Sequence, residues 1–350
     1  MWSATEFQQK VINYYRQHGR KHLPWQGTKD AYRIWLSEIM LQQTQVTTVI
    51  PYYDTFLRRF PTIAQLAEAT SDEVMHLWSG LGYYSRARNL HQAAKMVAEE
   101  FDGQFPQTPA DIETLPGVGR STAGAIAAFA FDEPSAILDG NVKRVLARCY
   151  GIEGWAGKSS VLKALWQRAE ENTPQENTAQ YNQAMMDLGA VVCTRTKPKC
   201  EQCPLSEQCY ALEHDQIAQL PGKKPKKARP KRSVYWLICL ENAQVILHKR
   251  PPSGIWGGLW CFPELEKSVE EPKHEQKLDS FIHKFSHYDL EVQPLLVKKL
   301  PNTGIMEPNE FNHFALDFLQ KKTQQKTAEI GLPTPVSKVL ASLDPQSLKT

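Results

Sequence analysis

Residues 115 to 123 read Leu-Pro-Gly-Val-Gly-Arg-Ser-Thr-Ala and stand directly before an apolar helical pattern. Gly117 and Gly119 flank one apolar residue, so the chain can turn tightly there without the steric penalty of a Cβ. Such a turn presents backbone N–H groups at the N-terminus of the next helix, which is a natural seat for a phosphate. The pattern predicts a helix-hairpin-helix whose glycines hold a nucleic-acid backbone without reading its sequence. An ordinary turn that binds nothing is the alternative.

Helical periodicity surrounds this hairpin from residue 1 to about residue 222. One run of apolar and amide side chains, from Trp35 through Leu36, Ile39, Met40, Gln43 and Val46 to Ile50, predicts a single helix. Beyond residue 232 the pattern changes to short β-rich runs at 234–240, 245–248 and 288–297, followed by a helical tail at 336–343. We therefore predict a multidomain protein with an all-α domain over residues 1–222 and a smaller α+β domain over residues 233–350.

A basic segment separates the two zones. Residues 223–232 read KKPKKARPKR, with seven Lys or Arg and no acid, in a chain whose net charge is only +3. Pro225 and Pro230 exclude a regular helix or a central strand. We predict an extended linker that also contacts phosphates.

Composition limits the class of protein. The chain has 350 residues, of which 41% are hydrophobic and 23% charged, which is typical of globular domains and not of disordered or fibrous chains. The longest uncharged apolar stretch, residues 123–131, is much shorter than the roughly 18 residues that a membrane span needs. Residues 1–15 lack the apolar core of a signal peptide. We expect a cytoplasmic protein that does not bind membranes.

Four of the seven cysteines cluster within residues 193–209. Cys193, Cys200, Cys203 and Cys209 are spaced C-x6-C-x2-C-x5-C, which indicates a metal site on one short loop. Structural zinc sites usually have two C-x2-C pairs, and this loop has one, so the spacing favours a four-iron four-sulfur cluster and leaves zinc as the alternative. The other cysteines, Cys149, Cys239 and Cys261, are expected to be small buried side chains.

Two carboxylates could take part in chemistry. Asp139 precedes a helical pattern and is predicted to be an N-cap, where backbone donors and the helix dipole favour its ionised form. Glu38 lies off the apolar stripe of its helix in a glutamine-rich setting. The alternatives are that Asp139 only caps its helix and that Glu38 is an exposed surface residue.

Taken in order along the chain, these motifs resemble the helix-hairpin-helix DNA glycosylases of the endonuclease III superfamily, and most closely the MutY-type adenine glycosylases. The matching stretches are Trp35–Gln45, Gly80–Tyr84, Leu115–Ala123, Ile137–Lys143, the four-cysteine loop and Phe285–His287. They lie between residues 35 and 287, which is about seven tenths of the chain. The resemblance implies duplex DNA as the partner, adenine opposite 8-oxoguanine or guanine as the target, one four-iron four-sulfur cluster and a monomeric enzyme.

The resemblance also implies roles for single residues. Adenine would be flipped from the stack, and Glu38 would protonate its N7 as general acid. An ionised Asp139 would stabilise the cationic sugar, either electrostatically or by a transient covalent bond. Tyr83, Ser121 and Asn141 would line the pocket. The residues that would enter the stack opposite the lesion are Leu41, Gln42 and Gln43.

The residue at position 121 distinguishes a monofunctional from a bifunctional glycosylase. Ser121 stands where the bifunctional members of the superfamily carry a lysine that forms a Schiff base with the sugar, and a hydroxyl cannot do this. The implied enzyme is therefore monofunctional, hydrolyses the glycosidic bond and leaves an abasic site. A bifunctional glycosylase and lyase remains the alternative, with Lys143 near Asp139 as a possible source of a slow side reaction.

The second domain resembles a Nudix fold through residues 251–263. Residues 264–272 lack the R-E-x-x-E-E carboxylates that bind metal in Nudix pyrophosphatases, so lesion recognition by Phe285, Ser286 and His287 is the expected role. Two further alternatives are an electron-transfer protein, suggested by the cysteines alone, and a DNA-binding protein without catalysis. The hairpin disfavours the former, and the presence of both Glu38 and Asp139 disfavours the latter.

Overall fold

The computed structural model describes residues 2–225, 228–267, 271–301, 311–325 and 330–343. The chain divides into two compact units, the first formed by Met1–Ala67 and Gln92–Lys226 and the second by Glu68–His91 and Lys227–Thr350. Residues 68–91, which the sequence analysis placed in the helical domain, are thus grouped with the C-terminal residues. The domain boundaries drawn from the sequence stay a prediction.

Helices make up nearly all of the regular structure before residue 222. They are α1 (Ala4–His18), α2 (Ala31–Leu41), α3 (Val46–Arg59), α4 (Ile63–Glu68), α5 (Ser71–Leu77), α6 (Ser85–Glu100), α7 (Pro109–Thr114), α8 (Arg120–Phe131), α9 (Gly140–Tyr150), α10 (Ser159–Asn172), α11 (Thr178–Asp187) and α12 (Tyr210–Glu213). A π-helical turn, Leu188–Val192, follows α11. The predicted all-α character of this region is confirmed.

The single helix predicted from Trp35 to Ile50 is wrong. Helix α2 ends at Leu41 and α3 begins at Val46, with a turn between them in which the N–H of Thr44 donates to the carbonyl of Leu41 at 3.2 Å. Gln43 has a φ of 57°, in the left-handed region that interrupts a right-handed helix. The apolar periodicity continues across this break because both helices bury one face.

The predicted hairpin is formed by α7, the turn at residues 115–119 and α8. Gly117 has a φ of 79°, which a residue with a Cβ rarely adopts. Gly119 is the N-cap of α8 and supplies no side-chain acceptor to the first N–H groups of that helix. Helix α8 is buried deeply enough that a Cβ on Gly124 would lie 2.6 Å from the carbonyl oxygen of Ala136. Close packing of α8 therefore holds the hairpin in place. No side chain of the N-cap occupies the backbone N–H groups at the start of α8.

The core of the first unit lies between α1, α9, α10 and α11. Phe7, Leu146, Leu165 and Ala184, one from each of these helices, are fully buried. Because burial of such side chains is the main source of stability, this core fixes the position of α9 and of the residue that caps it.

A mixed sheet forms the centre of the second unit. Its described strands are β1 (Lys231–Glu241), β2 (Gln244–Lys249), β3 (Trp260–Cys261), β4 (Glu264–Glu266), β5 (Gln276–Lys277), β6 (Phe281–Lys284), β7 (Asp289–Val297) and β8 (Phe311–Ala315), followed by the helices α13 (Leu316–Gln325) and α14 (Thr334–Ser342). The strand order is β3-β2-β1-β7-β5, with β4 on β1, β6 on β7 and β8 on β2. The predicted α+β domain is confirmed.

Strand β1 pairs in parallel with β7, with Val234 opposite Val292, and is antiparallel to β2 and β4. The pairing begins at Lys231 opposite Asp289, so Lys231 and Arg232, which the sequence placed in the linker, belong to the strand. Pro230, which has no N–H to donate, directly precedes it.

Among the described residues, no helix combines the length and apolarity needed to cross a bilayer.

Candidate active site

Glu38 lies on α2, an apolar helix in which most of the other side chains are buried. Its carboxyl group borders a cavity of about 700 Å³ in the first unit. Burial, and secondly the negative charge of Asp139, raise the pKa of Glu38 to about 7. The side chain is only partly buried and not the exposed surface glutamate that its helix position suggested. It can therefore carry a proton at neutral pH and deliver it into the cavity.

Four glutamines that the sequence analysis missed border the same cavity, namely Gln26, Gln175, Gln180 and Gln183. The Oε1 of Gln26 accepts from the N–H of Leu23 at 3.2 Å, and its Nε2 is buried with no hydrogen-bond partner in the part of the chain described. The Nε2 of Gln183 donates to Oδ1 of Asp187 at 3.0 Å. The cavity thus presents a free amide donor from Gln26 and an amide oxygen from Gln183, a pattern suited to a base edge.

Asp187 anchors this wall of the cavity. It is fully buried and forms an ion pair with Arg20, whose guanidinium lies 2.6 Å from Oδ1 and whose backbone N–H donates to Oδ2 at 2.8 Å. The two residues are 167 positions apart in the chain, so no local sequence signal could have joined them. The pair fixes the carboxylate to which Gln183 donates.

Asp139 caps α9, as predicted. Its Oδ1 accepts from the N–H of Val142 at 2.8 Å and its Oδ2 from Nδ2 of Asn141 at 3.1 Å. Burial raises the pKa of Asp139, while these hydrogen bonds and the charge of Arg144 oppose the rise. The negative charge of Asp139 also raises the pKa of Glu38, so the two predicted carboxylates interact electrostatically.

Ser121 lies in the first turn of α8. Its hydroxyl accepts a hydrogen bond from the N–H of Leu138 at 2.8 Å, which ties the hairpin to the residue before Asp139. The hydroxyl hydrogen is still available to a second partner.

Of the three residues predicted to enter the DNA stack, Leu41 is the last residue of α2, and Gln42 and Gln43 begin the turn that follows it. Gln42 is the C-cap of α2, and its Nε2 lies 3.5 Å from the carbonyl oxygen of Gly117 in the hairpin. The turn and the hairpin are therefore neighbours.

Hydrogen bonds connect Asp139 with the cysteine loop. Oδ1 of Asn141 accepts from Arg144 at 2.9 Å, and the same guanidinium donates to the carbonyl oxygens of Gly189 and Cys193, each at 2.7 Å. Displacement of the loop would therefore reach the carboxylate of Asp139 through the side chains of Arg144 and Asn141.

All four predicted cluster ligands border one cavity. No three His, Cys, Asp or Glu side chains of the described residues come close enough together to hold a metal ion. A zinc ion needs its sulfur ligands about 2.3 Å away, whereas a four-iron cluster is bound by thiolates that stand further apart. The donor set and its spread thus fit an iron–sulfur cluster.

Arg148 and Cys149 also border this cavity. The guanidinium of Arg148 is buried and donates to Sγ of Cys193 at 3.3 Å and to the carbonyl of Thr194 at 2.8 Å. Cys149, expected to stand apart from the loop, donates to Cys209 and thereby lowers the pKa of the Cys209 thiol to about 6. Cys239 and Cys261 are buried elsewhere, as predicted.

A second cavity, of about 330 Å³, lies in the second unit. Four residues singled out in the sequence border it, namely Tyr83, Phe285, Ser286 and His287. Tyr83 has a φ of 49° and is 48% exposed, and the buried guanidinium of Arg86 lies 5.4 Å from its ring centre. The structure therefore joins Tyr83 with the predicted lesion-reading residues, whereas Ser121 and Asn141 belong to the first unit.

Aromatic contacts hold Phe285 at this cavity. Its ring lies 5.2 Å from Trp256 and 4.5 Å from His283, both measured between ring centres. Ser286 Oγ is 3.3 Å from Nδ1 of His287, so the two side chains form one polar pair at the rim.

Three segments match known families. Residues 36–171 match the HhH-GPD superfamily of base excision DNA repair proteins, residues 193–209 match the iron–sulfur binding domain of endonuclease III, and residues 234–342 match the NUDIX domain. The match of the cysteine loop implies a four-iron four-sulfur cluster, in agreement with the prediction from spacing.

Curated relatives cover the whole length of the chain. The adenine DNA glycosylase of Buchnera aphidicola subsp. Baizongia pistaciae is 41% identical over 96% of each chain, and that of Homo sapiens is 35% identical over 83% of this chain and 66% of the relative. Among solved structures, a thermostable thymine-DNA glycosylase covers 61% of this chain and 97% of its own at 29% identity and a TM-score of 0.55. An endonuclease III–DNA complex, at 21% identity and a TM-score of 0.53, covers 61% of this chain and 99% of its own and shares the fold. Identity of this extent, together with the paired carboxylates, the hairpin and the cysteine loop, shows that the chain belongs to the adenine DNA glycosylases of the HhH-GPD superfamily.

Proposed function

We propose that the protein removes adenine that is mispaired with 8-oxoguanine or guanine in duplex DNA, by hydrolysis of the glycosidic bond. The observation that carries this proposal is the pair of carboxylates, in which Glu38, with its pKa raised to about 7, faces a cavity and lies within the electrostatic reach of Asp139. Paired carboxyl groups in different protonation states are what a reaction through a cationic sugar requires.

The cavity next to Glu38 accommodates the flipped adenine. A base inside the stack cannot be reached by a side chain, so it must be extruded before reaction. Gln26 Nε2 is a donor without a partner and Gln183 carries an acceptor oxygen, and adenine presents N1 as acceptor and its amino group as donor. Guanine presents the opposite pattern on this edge, which gives the pocket a basis for choosing adenine.

Glu38 protonates N7 of the bound adenine. A protonated base leaves as a neutral molecule, and with a pKa of about 7 roughly half of the Glu38 carboxyl groups carry a proton at neutral pH. Asp139 stabilises the positive charge that develops on the sugar, since its hydrogen bonds from Val142 and Asn141 favour the carboxylate over the acid. Water then adds to the sugar and an abasic site remains.

Ser121 makes the enzyme monofunctional. Its hydroxyl cannot form an imine, and it holds the backbone at Leu138 in place. Strand cleavage through a Schiff base at this position is therefore not part of the proposed reaction.

Cys193, Cys200, Cys203 and Cys209 would hold the iron–sulfur cluster, which cross-links the loop through its four thiolates when bound. In the proposed reaction, this loop helps to position the carboxylate of Asp139. Arg144 donates to Cys193 and Gly189 and, through Asn141, orients Asp139. Arg195, Lys197 and Lys199 of the same loop supply positive charge for DNA phosphates.

The second unit recognises the lesion. Tyr83, Phe285, Ser286 and His287 border one cavity, which supplies aromatic surface and two polar groups for the edge of 8-oxoguanine. The cytoplasmic, monomeric state expected from the sequence stays a prediction.

The test is incubation of the purified protein with duplexes that carry adenine opposite 8-oxoguanine, guanine, cytosine and thymine. We expect abasic sites opposite 8-oxoguanine and guanine, with strand breaks only after alkali. Breaks before alkali, together with covalent trapping by borohydride, would establish the bifunctional alternative instead. Absence of base release from every duplex would refute the proposed function.

A further inference from the structure

Two stretches that are distant in the sequence form walls of the cavity in the second unit. Residues 82–85 and 88 belong to one wall, residues 254–256 and 283–287 belong to the other, and Thr334 and Pro335 also border the cavity. Tyr83 belongs to the first wall, and Ser286 and His287 belong to the second. The separation between the walls decides what size and shape of base edge the cavity accepts.

Arg88 connects the two walls. It lies in the first turn of α6, borders the cavity, and donates from its guanidinium to the carbonyl oxygen of Gly257 at 2.8 Å. Arg88 is partly buried, and this burial lowers the pKa of its guanidinium. A charged donor on a neutral carbonyl makes a stronger hydrogen bond than two neutral groups do.

The acceptor of this bond cannot move freely. A Cβ on Gly257 would lie 2.8 to 2.9 Å from the carbonyl oxygens of Pro251, Pro252 and Ser253, so the loop is packed tightly around this residue. The N–H of Gly258 donates to the carbonyl of Pro251 at 3.0 Å and closes the loop. Gly257 therefore offers its carbonyl oxygen at a defined place, to which Arg88 is fastened.

Other bonds attach residues 68–91 to the C-terminal stretch independently of Arg88. Lys249 and Asp72 form an ion pair at 2.8 Å, and the Ser79 hydroxyl donates to the carbonyl of Leu332 at 2.9 Å. Neither Asp72 nor Lys249 borders the cavity. Loss of Arg88 should therefore change the cavity more than it changes the attachment of the segment.

We propose that Arg88 is a positioning residue that determines specificity for 8-oxoguanine, because it sets the distance between Tyr83 and the wall that carries Ser286 and His287. Arg88 acts through these side chains and does not take part in bond cleavage. The inference rests on the proposed lesion-reading role of this cavity.

The experiment compares Arg88→Ala and Arg88→Lys with the wild-type full-length protein, on duplexes with adenine opposite 8-oxoguanine and adenine opposite guanine. Single-turnover rates and Kd values give the preference ratio. We expect Arg88→Ala to lower the ratio by at least about tenfold, the size of one lost base-edge contact. Arg88→Lys keeps a charged donor and should restore part of the ratio.

Asp72→Asn is the matched control, since it breaks the ion pair with Lys249 away from the cavity. It should lower the Tm while the preference ratio stays unchanged. The salt dependence of DNA binding should be the same for Arg88→Ala as for the wild type, because a residue that contacts no phosphate releases no counterion.

An unchanged ratio in Arg88→Ala would overturn the inference. A uniform loss of affinity for both duplexes with a shallower salt dependence would also overturn it, and would make Arg88 a phosphate contact. If Arg88→Ala does not fold, Arg88→Lys and the uncharged Arg88→Gln are compared instead. A wild-type preference ratio in both folded variants would overturn the inference. A wild-type protein without any preference for 8-oxoguanine would instead refute the lesion-reading role itself.

Discussion

At the scale of single residues, the proposed reaction depends on two carboxyl groups, Glu38 and Asp139, whose surroundings differ. Glu38 has only burial and a negative neighbour, which both raise its pKa, whereas Asp139 receives hydrogen bonds that counteract burial. The same reaction needs an acid and an anion within one site, and these surroundings supply both.

Glu38→Gln should reduce the single-turnover rate of adenine removal by about 10²–10⁴, which is the usual value of general acid catalysis. Binding to a mismatch duplex should stay close to that of the wild type, because glutamine keeps the shape of the side chain. Glu99→Gln, on an exposed position of α6, is the control and should have no effect. A Glu38→Gln variant that retains more than about a tenth of the rate would remove Glu38 from this role.

The rate should also depend on pH in a defined direction. The acid must be protonated, and the pKa of Glu38 is about 7, so the wild-type single-turnover rate should fall as the pH rises above about 7. In Glu38→Gln the residual rate should lack this fall. A wild-type rate that is constant from pH 6 to pH 9 would show that no group of this pKa donates the proton.

Glu38 should also affect the free energy of unfolding, which can be measured without an assay of activity. The pKa of Glu38 is higher in the folded than in the unfolded chain, so binding of a proton stabilises the folded state. This stabilisation is complete below about pH 4.5 and is lost as the pH rises towards 7. Glu38→Gln does not titrate. Its Tm relative to the wild type should therefore increase between pH 4.5 and pH 7 and then level off, with a gain of at most about 3 kcal/mol in the free energy of unfolding, at about 1.4 kcal/mol per pKa unit. A constant difference across this range would contradict the raised pKa.

The sequence predicted the capping role of Asp139 because a cap depends on its immediate neighbours. It did not predict the partial burial of Glu38, because this depends on what packs around α2. Gln26 and Gln183 were missed for the same reason, since they meet only where distant stretches border one cavity. Resemblance could name the catalytic pair, but the electrostatic difference between its members requires the fold.

At the scale of elements, the cysteine loop and the hairpin were predicted well because both depend on short spacings. The helix predicted over residues 35–50 was wrong, since periodicity cannot show that Gln43 adopts a left-handed conformation. That break creates the turn at Leu41 to Gln43, which lies next to Gly117. A regular helix would have buried these residues along its length.

Replacement of Cys200 by serine should remove most of the visible absorbance near about 400 nm that iron–sulfur clusters show. It should lower Tm and DNA affinity together, because the loop holds Arg144 and, through Asn141, Asp139. Cys239→Ala, at a buried site of β1, is the control and should lower Tm without loss of iron. Colourless wild-type protein with one equivalent of zinc would contradict the cluster.

At the scale of the whole molecule, residues 68–91 and the C-terminal stretch form one unit, although about 135 residues of the helical unit lie between them. The sequence could not indicate this, since residues 68–91 have the helical periodicity of their neighbours. Truncation after Gly222 would therefore remove Phe285, Ser286 and His287, and also Lys249 and Leu332, which contact Asp72 and Ser79.

The double variant Ser286→Ala with His287→Ala tests lesion reading without this side effect. It should lose the preference for 8-oxoguanine over guanine by about 1–3 kcal/mol, the usual value of a base-edge hydrogen bond. The salt dependence of binding should stay the same, because the basic linker is intact. If the preference ratio is unchanged, the lesion is read elsewhere, and the turn at Leu41 to Gln43 is the next candidate.

The bond between Ser79 and Leu332 joins residues that are 253 positions apart. A ribosome adds about 5–20 residues per second, so the partner of Ser79 is made roughly 13–50 s after Ser79 itself. During this time Leu332, to which Ser79 donates in the folded chain, has not been made. The newly made chain therefore has an interval in which chaperones and proteases can reach residues 68–91.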